Sequence, residues 1–187
     1  GSPILVSGIT KAEVQSLLGI VPLQHFRLRM KSNSNAVNYL VTGSYTVLDI
    51  ANTSIWEKTT TGAHADIVLV NDTNDHVTLS AGGIYQIVVS IEFFPSSSQQ
   101  RDMWLVVSTD ASSTGQLGTD RLQSLSTSGV GNVQLKHTVV YEIANAGSDT
   151  DIYFSLRSNG NNSNIIAFNS GSNRSSITIT RIGDAIS

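Results

Sequence analysis

The sequence predicts an all-β protein, an antiparallel sandwich or jelly roll with one short helix near its N-terminus. Residues 82–94 read as a glycine turn followed by a strand in which apolar and polar side chains alternate, and nine further segments have strand patterns. Turns rich in Ser, Asn and Gly separate these segments. About eight to ten strands without intervening helices are typical of a sandwich or a jelly roll.

Residues 10–19 carry the one good helical pattern in the chain. Thr10 can accept a hydrogen bond from the Glu13 amide while the Glu13 side chain returns to Thr10, and Gly19 can end the helix in a left-handed conformation. So short a helix is unstable by itself and must dock its apolar stripe, Val14, Leu17 and Leu18. It is either a cap packed on the next domain or, with two symmetry copies, the end of a trimeric stalk.

Pro22 follows the helix and closes this segment, because proline interrupts regular structure. We therefore predict an N-terminal segment with the short helix at residues 1–24, forming a fibre or stalk end, and a β-sandwich head domain at residues 25–187. The predicted strands of the head cover residues 26–30, 39–50, 66–70, 77–79, 84–94, 103–108, 133–143, 152–157, 165–168 and 176–182.

The strand at residues 84–94 has two different faces. One face is apolar, which predicts burial in the sandwich, and consists of Tyr85, Ile87, Val89, Ile91 and Phe93. Ile84 and Val88 point the other way, so this sheet also has apolar residues to bury against neighbouring subunits. Further along the chain, the polar run at residues 158–164 predicts a hairpin loop.

The run Gly-Gly-Ile-Tyr-Gln-Ile-Val-Val-Ser-Ile-Glu-Phe at residues 82–93 resembles the Gly-x-Tyr-x-Ile/Phe strand of jelly rolls related to tumour necrosis factor (TNF) and the C1q head. The resemblance extends over residues 45–183, in the family's order of strands, to a closing Ser-Ile-Thr-Ile-Thr-Arg-Ile-Gly strand at residues 176–183. It implies a TNF/C1q-like jelly roll, a recognition fold that assembles as a homotrimer.

Residues 9–22, Ile-Thr-Lys-Ala-Glu-Val-Gln-Ser-Leu-Leu-Gly-Ile-Val-Pro, resemble segments of bacteriophage tail fibres and tail spikes. Together the two resemblances imply the non-enzymatic, homotrimeric receptor-binding head of a phage tail fibre, spike or needle. Such a head lies at the tail tip of the virion, outside the cell, and contacts a bacterial surface glycan or an outer-membrane protein. Two alternatives stay open: a purely structural trimerisation knob, and a C1q-like or carbohydrate-binding module of a bacterial surface filament.

Composition limits the classes of partner that we expect for this protein. With 187 residues, 40% of them hydrophobic, the chain can bury a sizeable core without disulfides, and it contains no Cys. Only 13% of the residues are charged and the net charge is -3, so we expect no nucleic-acid partner. No apolar stretch reaches the roughly 18 residues of a membrane span, so we expect no membrane insertion.

The sequence has none of the usual catalytic patterns. It lacks a Cys nucleophile, a Gly-x-Ser-x-Gly elbow, a His-Glu-x-x-His helix and a phosphate-binding loop, and its four His residues lack the spacing of metal ligands. We therefore predict no enzyme, no cofactor and no metal site. Asp72 and Asp75 could supply oxygen ligands for a cation, but their segment lacks the Glu and Gly of a calcium loop, which favours a solvated hairpin turn.

Six residues are candidates for ligand binding. Trp56 follows a polar loop, where an exposed ring would suit sugar stacking or a protein contact, whereas Trp104 lies in an apolar strand and is expected in the core. Charged residues lie before or within the long polar connection at residues 109–131 and could form a tip or an ion-pair network between subunits, or be solvated singly. They are Arg101, Asp102, Asp110, Asp120 and Arg121.

Overall fold

Two antiparallel sheets make up the described part of the protein. The structure is a computed structural model and describes residues 24–31, 38–41, 44–61, 66–95, 103–122, 133–158, 164–167 and 175–186. These ranges contain the strands β1 (Gln24–Met30), β2 (Asn38–Val41), β3 (Thr46–Val47), β4 (Trp56–Thr61), β5 (Ile67–Val70), β6 (His76–Leu79), β7 (Gly83–Pro95), β8 (Met103–Ser108), β9 (Gln116–Leu122), β10 (Val133–Ile143), β11 (Thr150–Ser158), β12 (Asn164–Ala167) and β13 (Ser176–Asp184).

The strand order shows a sandwich whose chain crosses repeatedly between the sheets. The seven-stranded sheet has the order β2-β12-β7-β13-β1-β4, and β10 also pairs with β7. The six-stranded sheet has the order β5-β6-β11-β8-β9, and β3 also pairs with β11. Neighbouring strands are mostly distant in sequence, as in a jelly roll. This confirms the prediction of an all-β, two-sheet antiparallel sandwich.

The core lies between the sheets and is built around β7. Tyr85, Ile87, Val89 and Ile91 are fully buried, which confirms the predicted inward face at these four positions, while the side chain of Phe93 is outside those described. The Tyr85 hydroxyl donates a hydrogen bond of 2.9 Å to the Ser80 carbonyl, and burial raises the pKa of Tyr85 to about 12. The opposing sheet contributes Leu79, Leu105, Val107, Ile152, Phe154 and Leu156.

Three strand predictions were wrong. Residues 39–50 form two short strands in different sheets, because the chain crosses the sandwich between β2 and β3. Strands β4 and β9 were missed because each lies at the edge of its sheet. Edge strands are often polar, and the sequence of β4 is Trp-Glu-Lys-Thr-Thr-Thr.

The hairpin prediction for residues 158–164 was also wrong. Strand β11 belongs to the six-stranded sheet and β12 to the seven-stranded sheet, so this connection joins the two sheets. Its turn-forming residues gave no information about the sheet to which the next strand returns.

The predicted helix at residues 10–19 lies outside the described residues, and the division at residues 24 and 25 stays a prediction. The described ranges contain strands and turns without a helix. Accordingly, no helix within them has the length and apolar character needed to cross a membrane.

Candidate functional site

A groove of about 610 Å³ lies where three connections meet. The first is the segment that contains β3 and the residues on either side of it. The second joins β5 to β6, and the third joins β8 to β9. The groove is lined by Tyr45, Thr46, Val47, Leu48, Asp49, Asn71, Asp72, Thr73, Asn74, Asp75 and Ala111. Hydroxyl, amide and carboxylate groups therefore dominate its wall, which suits a polar ligand that both donates and accepts hydrogen bonds.

The acidic side chains of the groove also hold its loops. The Ala51 amide donates a hydrogen bond of 2.7 Å to Oδ2 of the buried Asp75, and the Asn74 amide donates one of 2.9 Å to Oδ1 of Asp72. Burial raises the pKa of Asp75, and the neighbouring Asp49 carboxyl acts in the same direction. The buried Asp75 carboxyl group thus fixes the connection between β5 and β6 to the connection between β3 and β4, which gives the groove a defined shape.

His76 packs beneath this turn. Its Nδ1 lies 3.0 Å from the Asn74 carbonyl oxygen, its Nε2 lies 3.4 Å from Oδ1 of Asp151, and its ring centroid lies 5.0 Å from that of Tyr153. The polar atoms of the turn are engaged with each other, as expected for a structured hairpin turn. In the part of the chain that the structure describes, no group of three or more His, Cys, Asp and Glu side chains is arranged to hold a metal ion.

Asp110 organises the loop between β8 and β9. Its carboxylate accepts hydrogen bonds from the Ser112 hydroxyl, the Thr114 amide and hydroxyl, each at 3.0 Å, and the Gly115 amide. Ser113 lies within the loop in the left-handed region, with φ of 60°. These hydrogen bonds hold the pKa of Asp110 well below its usual range, and the hydrogen bond from Ser112 has the largest effect. The Asp110 carboxylate is therefore engaged in holding the loop in shape.

Replacing Asp110 by alanine should accelerate hydrogen exchange at the Thr114 and Gly115 amides several-fold, because both lose their acceptor. Low pH should act similarly in the parent protein. The folded pKa is depressed, so the stabilisation is complete above the unfolded pKa of about 3.9 and disappears as the pH falls toward the lower folded value. Exchange mass spectrometry measures both effects when each rate is compared with the intrinsic exchange rate of the unfolded chain at the same pH. Glu57→Ala is the control, and unchanged exchange in Asp110→Ala would contradict the assignment.

Trp56 is not a surface residue. Its side chain is 3% exposed and belongs to the core, so the prediction of an exposed ring was wrong. Its position at the start of β4, opposite Met30 in the register, turns the ring inward. Arg101 and Asp102 lie outside the described residues.

Asp120 and Arg121 are on β9, where they pair in register with Leu105 and Trp104 of β8. The side chains of this pair are not among those described. The proposed roles of Arg101, Asp102, Asp110, Asp120 and Arg121 in ligand binding therefore stay predictions.

The structure adds an aromatic and cationic stack that the sequence analysis missed. The Arg157 guanidinium carbon lies 5.3 Å from the ring centroid of Tyr45 and 5.0 Å from that of Trp104. Trp104 is only partly buried, contrary to the expected core position. Ile152, Phe154 and Leu156 are buried, so strand alternation could have placed Arg157 on the outer face. The two aromatic partners of Arg157, however, could not be predicted without the pairing and register of the strands.

The outer face of the seven-stranded sheet carries apolar side chains. Val140 is 61% exposed and Ile182 is 50% exposed, and the half-buried Ile84 and Val88 point to the same side of the sheet. We call these four residues the outer apolar face. Ile186 is 85% exposed beside it, with its amide donating a 3.1 Å hydrogen bond to Oε1 of Glu142.

Comparisons with known proteins identify the fold. The structure of Eiger TNF from S. frugiperda matches with a TM-score of 0.58 and 16% identity, covering 89% of this chain and 97% of that chain. The fold is a TNF-like jelly roll. Murine APRIL matches with a TM-score of 0.52 and 10% identity, covering 86% of this chain and 100% of that chain. No protein-family model matches the sequence. No curated protein matches it either.

These matches confirm the TNF-like part of the resemblance found in the sequence, and both cover most of the chain. At such low identity they establish the fold alone. The TNF-like sandwich thus provides the frame on which the groove, the Asp110 loop and the outer apolar face are placed, and function has to be argued from those features.

Proposed function

We propose that this protein is a non-enzymatic receptor-binding head that assembles as a homotrimer. Three copies would pack through the outer apolar face and present their polar loops to a bacterial surface glycan or an outer-membrane protein. The fibre-like segment at residues 9–22 supports a place at the tail tip of a phage, in a fibre, spike or needle.

The observation that carries the proposal is the outer apolar face. A sheet that is buried on one side in the sandwich would leave its other side polar if that side met only water. Here Val140 and Ile182 are half or more exposed, and both lie beside strand β7 at the centre of the sheet. A second copy of the chain is the occupant that the TNF-like jelly roll favours, because one face repeated around a closed symmetry axis buries it in every subunit.

The groove and loops supply the recognition part. Their polar side chains are held by internal hydrogen bonds on a rigid sandwich, which is how binding sites are commonly built on loops. Exposed sugars exchange hydrogen bonds with water for little net gain, so affinity at each site would be modest. Three linked sites would compensate by avidity if they bind at the same time.

The test of assembly is a charge placed on the outer apolar face. The parent protein should sediment as a species of about three times 20.0 kDa, whereas Val140→Asp should sediment as a monomer because a buried unpaired carboxylate is costly. Val68→Asp is the matched control, since Val68 is 47% exposed on β5 of the other sheet. A monomeric parent at micromolar concentration would contradict the trimer.

The same proteins test recognition. An excess of the parent should block adsorption of the phage to its host, and Val140→Asp should block it much less because avidity is lost. A parent trimer that neither binds cells nor blocks adsorption would instead indicate a purely structural knob. Release of sugar fragments from purified surface polysaccharide would indicate an enzyme.

A further inference from the structure

We propose that the outer face of the six-stranded sheet around Arg157 binds a carboxylate-bearing sugar, such as a uronic acid unit of a surface polysaccharide. This inference rests on the proposed recognition function and names the class of its ligand. The site consists of Tyr45, Trp104 and Arg157, and we call it the arginine stack.

Arg157 differs from two other arginines of the described chain. Arg29 pairs with Glu57 at 2.8 Å, and Arg181 pairs with Asp66 and Asp184. Arg157 has no carboxylate partner among the described residues, and its contacts there are the rings of Tyr45 and Trp104. A partly buried guanidinium that contacts two rings and has no carboxylate partner in the described part of the chain is suited to bind an anion.

Two polar atoms in and beside the arginine stack have no hydrogen-bond partner among the described residues. They are Nε of Arg157 and Oγ of Ser155, both of them buried. Ser155 is 0% exposed, and it lies two residues before Arg157 on the same outer face of β11. Because both atoms are closed to solvent, they are not the donors that a ligand would meet; those are the terminal Nη groups of the partly buried Arg157.

A carboxylate fits this arrangement better than a neutral group. The planar guanidinium of Arg157 holds its N–H donors in a fixed fork, from which a carboxylate can accept two parallel hydrogen bonds.

The groove next to the arginine stack can hold the rest of a sugar chain. Tyr45 belongs both to the arginine stack and to the wall of the groove, so the two are continuous. The groove offers Asp49 and Asp72 as acceptors for sugar hydroxyls, while their charge repels a carboxylate. Such a charge pattern fixes the direction of an acidic saccharide, with the carboxylate at Arg157 and neutral hydroxyls in the groove.

The two tryptophans give the test an internal control. In an NMR titration of the 15N-labelled protein, galacturonate should shift the Trp104 indole N–H signal and leave the core Trp56 signal in place. The shift should saturate with a Kd in the millimolar range, which corresponds to a binding free energy of about 4 kcal/mol. A Trp104→Phe variant assigns the signals. Galactose at equal concentrations should cause no saturable shift, since it lacks the carboxylate.

Arg157→Gln should weaken galacturonate binding by about tenfold or more, because the charged hydrogen bonds are lost. Arg27→Gln, a change at an exposed arginine of β1, should leave binding unchanged. If Arg157→Gln lowers the melting temperature so far that it is unfolded, Arg157→Lys replaces it and should still bind several-fold more weakly, since lysine lacks the planar donors.

Three results would overturn the proposal: no saturable binding of galacturonate, equal binding of galactose, or parent-like binding by the folded Arg157 variant. Inorganic phosphate that displaces galacturonate at equal concentration would also overturn it, because the site would then be a general oxyanion site. Uronate binding is measured without host cells, so its failure is distinguishable from failure of the adsorption test.

Discussion

Replacing Ile87 by alanine is expected to lower the free energy of unfolding by about 2 to 4 kcal/mol. Ile87 is fully buried at the centre of β7, where it pairs with Val139 of β10 and Ile179 of β13, both of which are also in the core. Three strands hold the backbone around this site, so the cavity left by the missing side chain cannot collapse easily.

Chemical denaturation at a fixed protein concentration measures this loss, because assembly would otherwise change the apparent stability. Gln86→Ala is the matched control on the same strand. Gln86 is exposed on the opposite face, so its truncation should change stability by less than about 0.5 kcal/mol. Equal effects of the two substitutions would contradict the assignment of the inner face.

Replacing Gly118 by alanine is expected to cost about 1 to 3 kcal/mol through overpacking. Gly118 lies on β9 of the six-stranded sheet, and His137 lies on β10 of the seven-stranded sheet. A Cβ atom at Gly118 would overlap the imidazole ring of His137. The glycine therefore allows these two edge strands to approach each other and close this side of the sandwich.

A double-mutant cycle tests that cause. In a His137→Ala background the ring is absent, so Gly118→Ala should cost clearly less than in the parent. Gly183→Ala is the matched control, because a Cβ there would meet only Cδ1 of Ile84, at an ordinary 3.9 Å. Full additivity of the two substitutions would show that the ring is not the obstacle.

The two proposed interfaces do not compete. Assembly would use the outer apolar face of the seven-stranded sheet, and sugar binding would use the arginine stack and groove of the six-stranded sheet. Because the sheets face opposite sides of the sandwich, three copies could assemble while each keeps its binding surface open.

The sequence by itself determined the inner faces of the long strands. Alternation is a local property, so the burial of Tyr85, Ile87, Val89 and Ile91 followed from their spacing alone. The outward direction of Ile84 and Val88 followed from the same spacing. The fold class was predictable for the same reason, since strand patterns without helical ones leave few architectures.

Only the tertiary structure decided which strands meet. The arginine stack unites Tyr45, Trp104 and Arg157 from three separate segments, and this depends on pairings that local patterns do not encode. The same limit explains the error at Trp56, since the polar loop before it gave no sign that β4 turns the ring into the core. Burial on a strand is set by local spacing, whereas neighbours across a sheet are set by long-range pairing.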